Sequence, residues 1–317
     1  MNSGDQQGNV WSIILAGGDG VRTKEFIRHR FGYERPKQYC TFVGTRSMFQ
    51  HTLDRAARLT PWERVVVVAT RHHDYDVWSQ LDGRPAGRVL LQPRNAGTAA
   101  GVFLPLSYIL ARDPRATVVI YPSDHFVFPE SSFLSAVDHA VQGSKELGGQ
   151  PVLLATKPDS VELEYGWIMP GRHLGSAGKS TIHAVETFVE KPDKATAYGA
   201  RAAGGLWNTL VCAAQGKELW NLGWTCVPEI MSCFEWLKDT IDTNEESRVL
   251  DAIYEAMPRR NFSLHVLQQA PNRLAVMEMK KVLWSDWGNP ERILSGLEKI
   301  GKQSAVLNDP LPFLYVG

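Results

Sequence analysis

A short apolar run, Ser12-Ile13-Ile14-Leu15, opens directly onto Ala16-Gly17-Gly18-Asp19-Gly20-Val21-Arg22, and this junction constrains the fold more than any other stretch of the chain. A strand that ends in a glycine-rich turn can wrap its N–H groups around a phosphate, because no Cβ blocks the approach and a following helix N-terminus favours negative charge. Arg22, and Lys37 in Arg35-Pro36-Lys37-Gln38, are placed to supply counter-charge. The turn is not a Walker A loop, since no Gly-Lys-Ser/Thr follows the glycines. Nor is it the dinucleotide fingerprint, because Gly17-Gly18-x-Gly20 lacks the G-x-G-x-x-G spacing.

Comparable runs recur at Val65 to Val68, Val89 to Leu91, Val118 to Tyr121 and Val152 to Ala155, with helical patterns at Met48 to Leu59, Thr98 to Ala111 and Ser131 to Leu147. Strands alternating with helices predict βαβ units and a mostly parallel sheet covered on both faces. After Pro158 the pattern changes: Tyr165 to Met169, Thr181 to Val189 and Leu206 to Ala213 read as strands of a mixed extension. Helices return at Pro228 to Leu237, Glu245 to Ala256 and Pro290 to Ile300. The expected organisation is one domain over residues 10–296, in halves 10–157 and 158–296, followed by a tail over 297–317. From Gly301 onward Pro and Asn punctuate that tail, which is expected to pack loosely or fray.

Lys plus Arg and Asp plus Glu number 34 each, so the chain has no global charge to draw it to nucleic acid or a membrane surface. Cys40, Cys212, Cys226 and Cys233 lack C-x-x-C spacing, which argues against a zinc site and a disulfide framework and fits reduced thiols in the cytoplasm. No run approaches the ~20 apolar residues of a membrane span, and the polar start, Met1 to Asn9, does not read as a secretion signal.

In an open α/β sheet ligands gather beyond the carboxyl ends of the strands, so the residues just past each strand are the place to search. Past the third strand come Gln92-Pro93-Arg94-Asn95-Ala96-Gly97-Thr98, where Gln92 could read a base edge and Gly97 could admit a flat ring to the backbone. Past the fourth comes Asp124 in Pro122-Ser123-Asp124-His125, a carboxylate facing the glycine turn and suited to Mg²⁺. A second acid, Asp286, stands among bulky neighbours in Trp284-Ser285-Asp286-Trp287-Gly288; it either pairs, binds metal or caps the helix after Asn289. Glu190 and Lys191 give an acceptor and a donor at a strand end, suited to sugar hydroxyls and to a phosphate. His72 and His73 read as a surface helix start, and no His pairs with a Ser or Cys as a nucleophile triad would require.

Taken in order, these segments together with Tyr165-Gly166-Trp167-Ile168, Phe188-Val189-Glu190-Lys191-Pro192 and Trp207-Asn208-Thr209 resemble the sugar-phosphate nucleotidylyltransferases, most closely the bacterial mannose-1-phosphate guanylyltransferases. The resemblance covers roughly residues 10 to 296. It implies a Rossmann-like three-layer sandwich with a mostly parallel mixed sheet, its first half binding nucleotide and its second the sugar phosphate. It also implies Arg22, Lys37 and Lys191 as catalytic cations, and Asp124 and Asp286 as ligands of a Mg²⁺ cofactor. Leu15, Ala16, Gly17, Gly18, Gly20, Gln92, Gly97 and Thr98 would bind the nucleotide. Gly166, Glu190, Lys191 and Asn208 would bind the sugar phosphate.

The reaction implied is attack of a sugar 1-phosphate oxygen on the α-phosphorus of a nucleoside triphosphate, with pyrophosphate leaving in line. It calls for positioning and charge neutralisation rather than a covalent intermediate. GTP and mannose 1-phosphate are the expected substrates, with no nucleic acid or membrane partner; another pair, such as glucose 1-phosphate with UTP, dTTP or ATP, and a non-catalytic sugar-nucleotide binder are the alternatives. Oligomeric state stays open, with a homodimer as one option. Two departures stand out: Gly20-Val21-Arg22-Thr23 replaces the usual Gly-Thr-Arg-Leu, and Leu210 stands where the resemblance expects glycine, narrowing the sugar pocket.

Overall fold

The computed structural model describes residues 9–301, apart from 82 and 84–86. In chain order the main elements are β1 (Val10–Leu15), α1 (Lys24–Phe31), α2 (Met48–Ala57), β2 (Val65–Thr70), α3 (Asp74–Leu81), β3 (Arg88–Gln92), α4 (Thr98–Arg112), β4 (Thr117–Pro122), β5 (Phe126–Phe128) and α5 (Glu130–Glu146). The second half adds β6 (Val152–Thr156), β7 (Gly166–Ala177), β8 (Ser180–Glu190), α6 (Lys194–Ala202), β9 (Leu206–Gln215), α7 (Gly216–Cys226), α8 (Pro228–Lys238), α9 (Glu246–Ala256), β10 (Ala275–Glu278), β11 (Leu283–Ser285) and α10 (Pro290–Lys299).

Nine strands form one sheet in the order β3-β2-β1-β4-β9-β6-β10-β8-β7. β1 to β4 run parallel; β9 is reversed between β4 and β6, and β8 is reversed between β10 and β7. Side chains alternate across the sheet, so Ile13, Val66 and Val68 pack beneath α4, α7, α8 and α9, while Ile14, Val65 and Val67 pack beneath α2, α3 and α5. Two cores on opposite faces of one sheet make the expected three-layer α/β sandwich.

The strong periodicities produce the expected elements, while three helices go beyond the sequence reading. The stretch from Arg22 to Lys37, which reads as a loop, contains α1. Only Ile27 of that helix is buried, so it has little apolar periodicity to reveal it. α6 and α7 are similarly short or interrupted by small residues. His72 and His73 lie in a 3₁₀ turn (Arg71–His73) leading into α3, and His73 is buried at 4% exposure rather than on the surface. The tail from 302 onward, and residues 1–8, lie outside the described residues. Among the described residues all four cysteines are unbridged, and no helix is long and apolar enough to cross a membrane.

Candidate active site

A cleft of about 580 Å³ runs along the carboxyl ends of the parallel strands. The site residues anticipated from sequence line it except Ala16 and Gly20. Ala16 is fully buried, and its carbonyl accepts hydrogen bonds from Gln38 Nε2 and Tyr39 Oη, each at 3.0 Å. Gln38 Nε2 also donates to the Gly18 carbonyl at 2.8 Å, so this side chain fixes the glycine turn from beneath. Gly20 adopts φ +60°, a left-handed conformation that costs an L-residue about 1–2 kcal/mol. A Cβ at Gly18 would meet nothing within 4 Å, which leaves its backbone open toward the cleft.

The two aspartates are brought together by a two-stranded ribbon too short to recognise in sequence. β5 and β11 pair antiparallel with Ser285 opposite Phe126, so Asp124, just before β5, and Asp286, just after β11, approach one another. Lys37, at 4% exposure, stands between them: Nζ lies 3.1 Å from Asp124 Oδ2 and donates to the carbonyls of Asp286 and of Trp287, the latter at 3.2 Å. Burial pushes the carboxyl of Asp124 up, but Lys37 and His125 outweigh it and hold it below the ordinary aspartate value. Asp286 is lowered in the same way, against its own burial, by Lys37 and Arg292. Both acids therefore stay ionised at neutral pH. Burial lowers the pKa of His125 despite Asp124, so its imidazole stays neutral there.

Asp286 is not the cap of α10; that role falls to Asn289, whose side chain accepts from Arg292 N at 2.9 Å. Asp286 Oδ1 instead accepts from Tyr165 Oη at 2.9 Å, Gly288 N at 2.8 Å and Arg292 Nη1 at 3.0 Å. Arg292 also pairs with Glu162 and Glu164, and its guanidinium lies 4.5 Å from the Tyr165 ring centre. Arg22 pairs with Glu164 and lies 3.7 Å from Asp286.

At the end of β3, Gln92 is buried rather than a solvated loop amide. It is 4% exposed, and its Oε1 accepts from Tyr254 Oη at 3.0 Å, which leaves the amide NH₂ toward Gly17. Gly97 has a packing role that its sequence does not announce. Its φ is +89° and a Cβ there would fall on the Arg260 carbonyl, so glycine is required for packing against the 260 segment. Thr98 Oγ1 accepts from Phe262 N at 2.7 Å, fastening the same contact.

Across the cleft, β7 and β8 pair with Gly166 opposite Glu190. A Cβ at Gly166 would come within 2.8 Å of Glu190 Oε2, so the glycine lets the carboxylate lie over its backbone. Burial raises Glu190 above the ordinary glutamate value, with Lys191 pulling it back. Lys191 sits at φ +49° and its ammonium makes no hydrogen bond or ion pair among the described residues. On β9 the register against β6 breaks between Ala155–Asn208 and Leu153–Cys212. At this bulge Asn208 Oδ1 accepts from Leu210 N at 3.1 Å and Leu210 takes φ +61°, which turns it into the cleft lining.

Sequence reasoning missed Gln38, Arg292 and the segment Arg259-Arg260-Asn261. Arg259 lines the cleft with no hydrogen bond or ion pair among the described residues, whereas Arg260 is held by Glu229 at 2.8 Å. The paired arginines just after α9 were the available signal, but only the packing at Gly97 brings them to the site.

This fold and this cleft are those of a nucleotidyl transferase: the model of the Nucleotidyl transferase family matches residues 11–303, and the chain belongs to that family. Among curated proteins it is 33% identical over 204 residues to the xanthan biosynthesis protein XanB of Xanthomonas campestris pv. campestris (strain B100), covering 63% of this chain and 41% of that one. It is 24% identical over 299 residues to a mannose-1-phosphate guanylyltransferase of Escherichia coli, covering 92% of this chain and 62% of that one. The chain thus spans between about two fifths and three fifths of the length of these relatives. A solved structure from Thermus thermophilus, described as a mannose-1-phosphate geranyltransferase, superposes with a TM-score of 0.75 at 25% identity, covering 95% of this chain and 80% of that one.

Proposed function

We propose that this protein transfers a nucleotidyl group from GTP to mannose 1-phosphate, yielding GDP-mannose and pyrophosphate. The observation that carries this reading is a single cleft with two unlike anion sites. One is the open glycine turn beside Lys37, Asp124 and Asp286; the other is Lys191, unpaired among the described residues, beside Glu190 and Asn208. The choice of GTP and mannose rests on the relatives named above.

In this reading Gly17 and Gly18 hold the triphosphate by their N–H groups, and Arg22 and Lys37 offset its charge. Gln92, Gly97 and Thr98 form the base end, where a mismatched base leaves buried polar groups unpaired at ~1–3 kcal/mol each. Lys191 holds the sugar phosphate, and Glu190, Asn208 and the Gly166 backbone meet the sugar hydroxyls. The attacking phosphate oxygen is already anionic, so no general base is needed, and neutralisation of two repelling anions is the main catalytic demand. The donor set fits Mg²⁺: Asp124 and Asp286 offer oxygens alone, both ionised and close enough to repel each other. Bound there, Mg²⁺ would neutralise phosphate charge.

The test is pyrophosphate release across a panel of triphosphates and sugar 1-phosphates. GTP with mannose 1-phosphate should give the highest kcat/KM. If UTP or dTTP with glucose 1-phosphate exceeds it by about tenfold, roughly 1.4 kcal/mol in transition-state binding, the guanylyl and mannosyl assignment falls while the nucleotidyl transfer stands.

A further inference from the structure

Outside the cleft floor, the parallel register of β1 and β2 sets Leu15 opposite Val68, and the two chains leave the sheet side by side. Asp19 of the glycine turn thereby meets His72 and His73 of the 3₁₀ turn after β2. Asp19 Oδ1 lies 3.0 Å from His72 Nε2 and 3.8 Å from His73 Nε2, and the three donor atoms fall within 4.8 Å of one another. The two Asp19–His separations bracket the ~3.3–3.6 Å between adjacent corners of a tetrahedral sphere whose metal–ligand bonds are about 2.0–2.2 Å. We propose that Asp19, His72 and His73 form a Zn²⁺ site, separate from the aspartate pair, that clamps the phosphate-binding turn to the start of α3.

Three features of the surroundings support it. His73 Nδ1 lies 3.0 Å from Thr70 Oγ1; in the tautomer with Nδ1–H as the donor, Nε2 gives up its hydrogen bond to the Ala16 backbone and its lone pair faces Asp19 Oδ1 3.8 Å away, ready to ligate a cation. Asp19 Oδ2 accepts from Asn95 Nδ2 at 3.2 Å, which orients the carboxylate so that Oδ1, hydrogen-bonded to His72 Nε2 at 3.0 Å, faces both imidazoles; a metal would take the place of that shared proton. Burial, and then His72, hold the pKa of His73 down at about 4, so it is in the neutral, ligating form at physiological pH. The scattered cysteines argue against a thiolate site, and none contributes; two imidazoles and one carboxylate suit zinc, cobalt or nickel far better than Mg²⁺. Three protein ligands leave a coordination position for water.

Co²⁺ serves as the probe, since its ligand-field bands in the visible report nitrogen and oxygen coordination. The metal-stripped full chain, titrated with Co²⁺, should bind one equivalent at this site, and Zn²⁺ should displace it and bleach the bands. His72→Ala and Asp19→Asn alter side chains that are about half exposed, so the fold should persist, checked by an unchanged unfolding midpoint in the metal-free state. Each should weaken binding at least about 100-fold, at or beyond the 10–100-fold cost of losing an outer partner. Asp124→Asn and Asp286→Asn should leave the bands intact. The proposal is overturned if no saturable Co²⁺ binding appears, if His72→Ala and Asp19→Asn bind as the parent does, or if the bands vanish with Asp124→Asn. These outcomes are independent of which triphosphate or sugar phosphate the cleft accepts.

Discussion

The two walls of the cleft are built on opposite principles. On the wall formed by β1 to β4, the polar groups near the glycine turn are already committed: Gln38 and Tyr39 hold the Ala16 carbonyl, Lys37 is shared among Asp124 and two carbonyls, and Tyr254 holds Gln92. On the wall formed by β7 to β9, Lys191 is unpaired among the described residues, and Glu190 and the Asn208 amide NH₂ face the cleft. A pre-satisfied wall needs no reorganisation when an anion arrives, which is how fixed dipoles and charges lower a barrier. The open wall gains its contacts only on binding, and in the proposed reading it selects the sugar phosphate.

The largest effect should come from breaking the committed wall. Asp124→Asn is expected to lower turnover by roughly two to three orders of magnitude, the cost of a major electrostatic stabiliser, while folding survives. Lys37→Ala should match it in turnover and also lower the unfolding midpoint, because Asp124 and Asp286 then face each other without their shared cation. Steady-state kinetics alongside thermal unfolding read both; a Lys37→Ala protein as stable as the parent would contradict the contrast.

Lys191→Ala should behave differently. Loss of a charge-assisted contact of about 1.5–3 kcal/mol should raise KM for the sugar phosphate roughly 10- to 100-fold, with KM for the triphosphate and the unfolding midpoint unchanged. Equal defects toward both substrates would erase the division between the walls.

Acidity sharpens the comparison further. Glu190 is raised above the ordinary glutamate value by burial and restrained by Lys191. As pH falls through that raised value the carboxylate is lost, so kcat/KM for the sugar phosphate should decline on the acid side. Without Lys191 the restraint disappears and the acid limb should move to higher pH; in Glu190→Gln it should disappear. A limb at the same pH in the parent and Lys191→Ala would exclude Glu190 as its source.

The smallest effect belongs to Leu210. Replacing it with glycine relieves a left-handed backbone but removes side-chain packing, so stability should stay within about 1 kcal/mol of the parent. Sugar selectivity should relax, measured as the ratio of kcat/KM for mannose and glucose 1-phosphates. An unchanged ratio would show that Leu210 does not shape the sugar pocket.

Much of this was legible because strand ends announce themselves. Val65 to Val68 and Val118 to Tyr121 are buried on both faces and so read as unbroken apolar runs, and the chemistry sits on the loops beyond them. The three-residue ribbon β5–β11 was not legible, since three residues establish no period, yet it is what joins Asp124 to Asp286. The packing role of Gly97 is not legible because its partner, the Arg260 carbonyl, is far away in the chain. Arg292 and Gln38 were invisible for the same reason: their value lies in whom they touch.

β9 carries a further consequence. It runs against its neighbours and is hydrogen-bonded to β4 on one side and to β6 on the other, with Thr117–Ile120 laddered to Cys212–Gln215. Asp124 lies just past β4 and Asn208 lies on β9, so the cleft's two walls are sewn by one continuous seam of backbone. Swinging them apart like jaws would tear that seam. The molecule is therefore a fixed vice rather than a clamp, and whatever opens for a substrate to enter must be the turns at its rim.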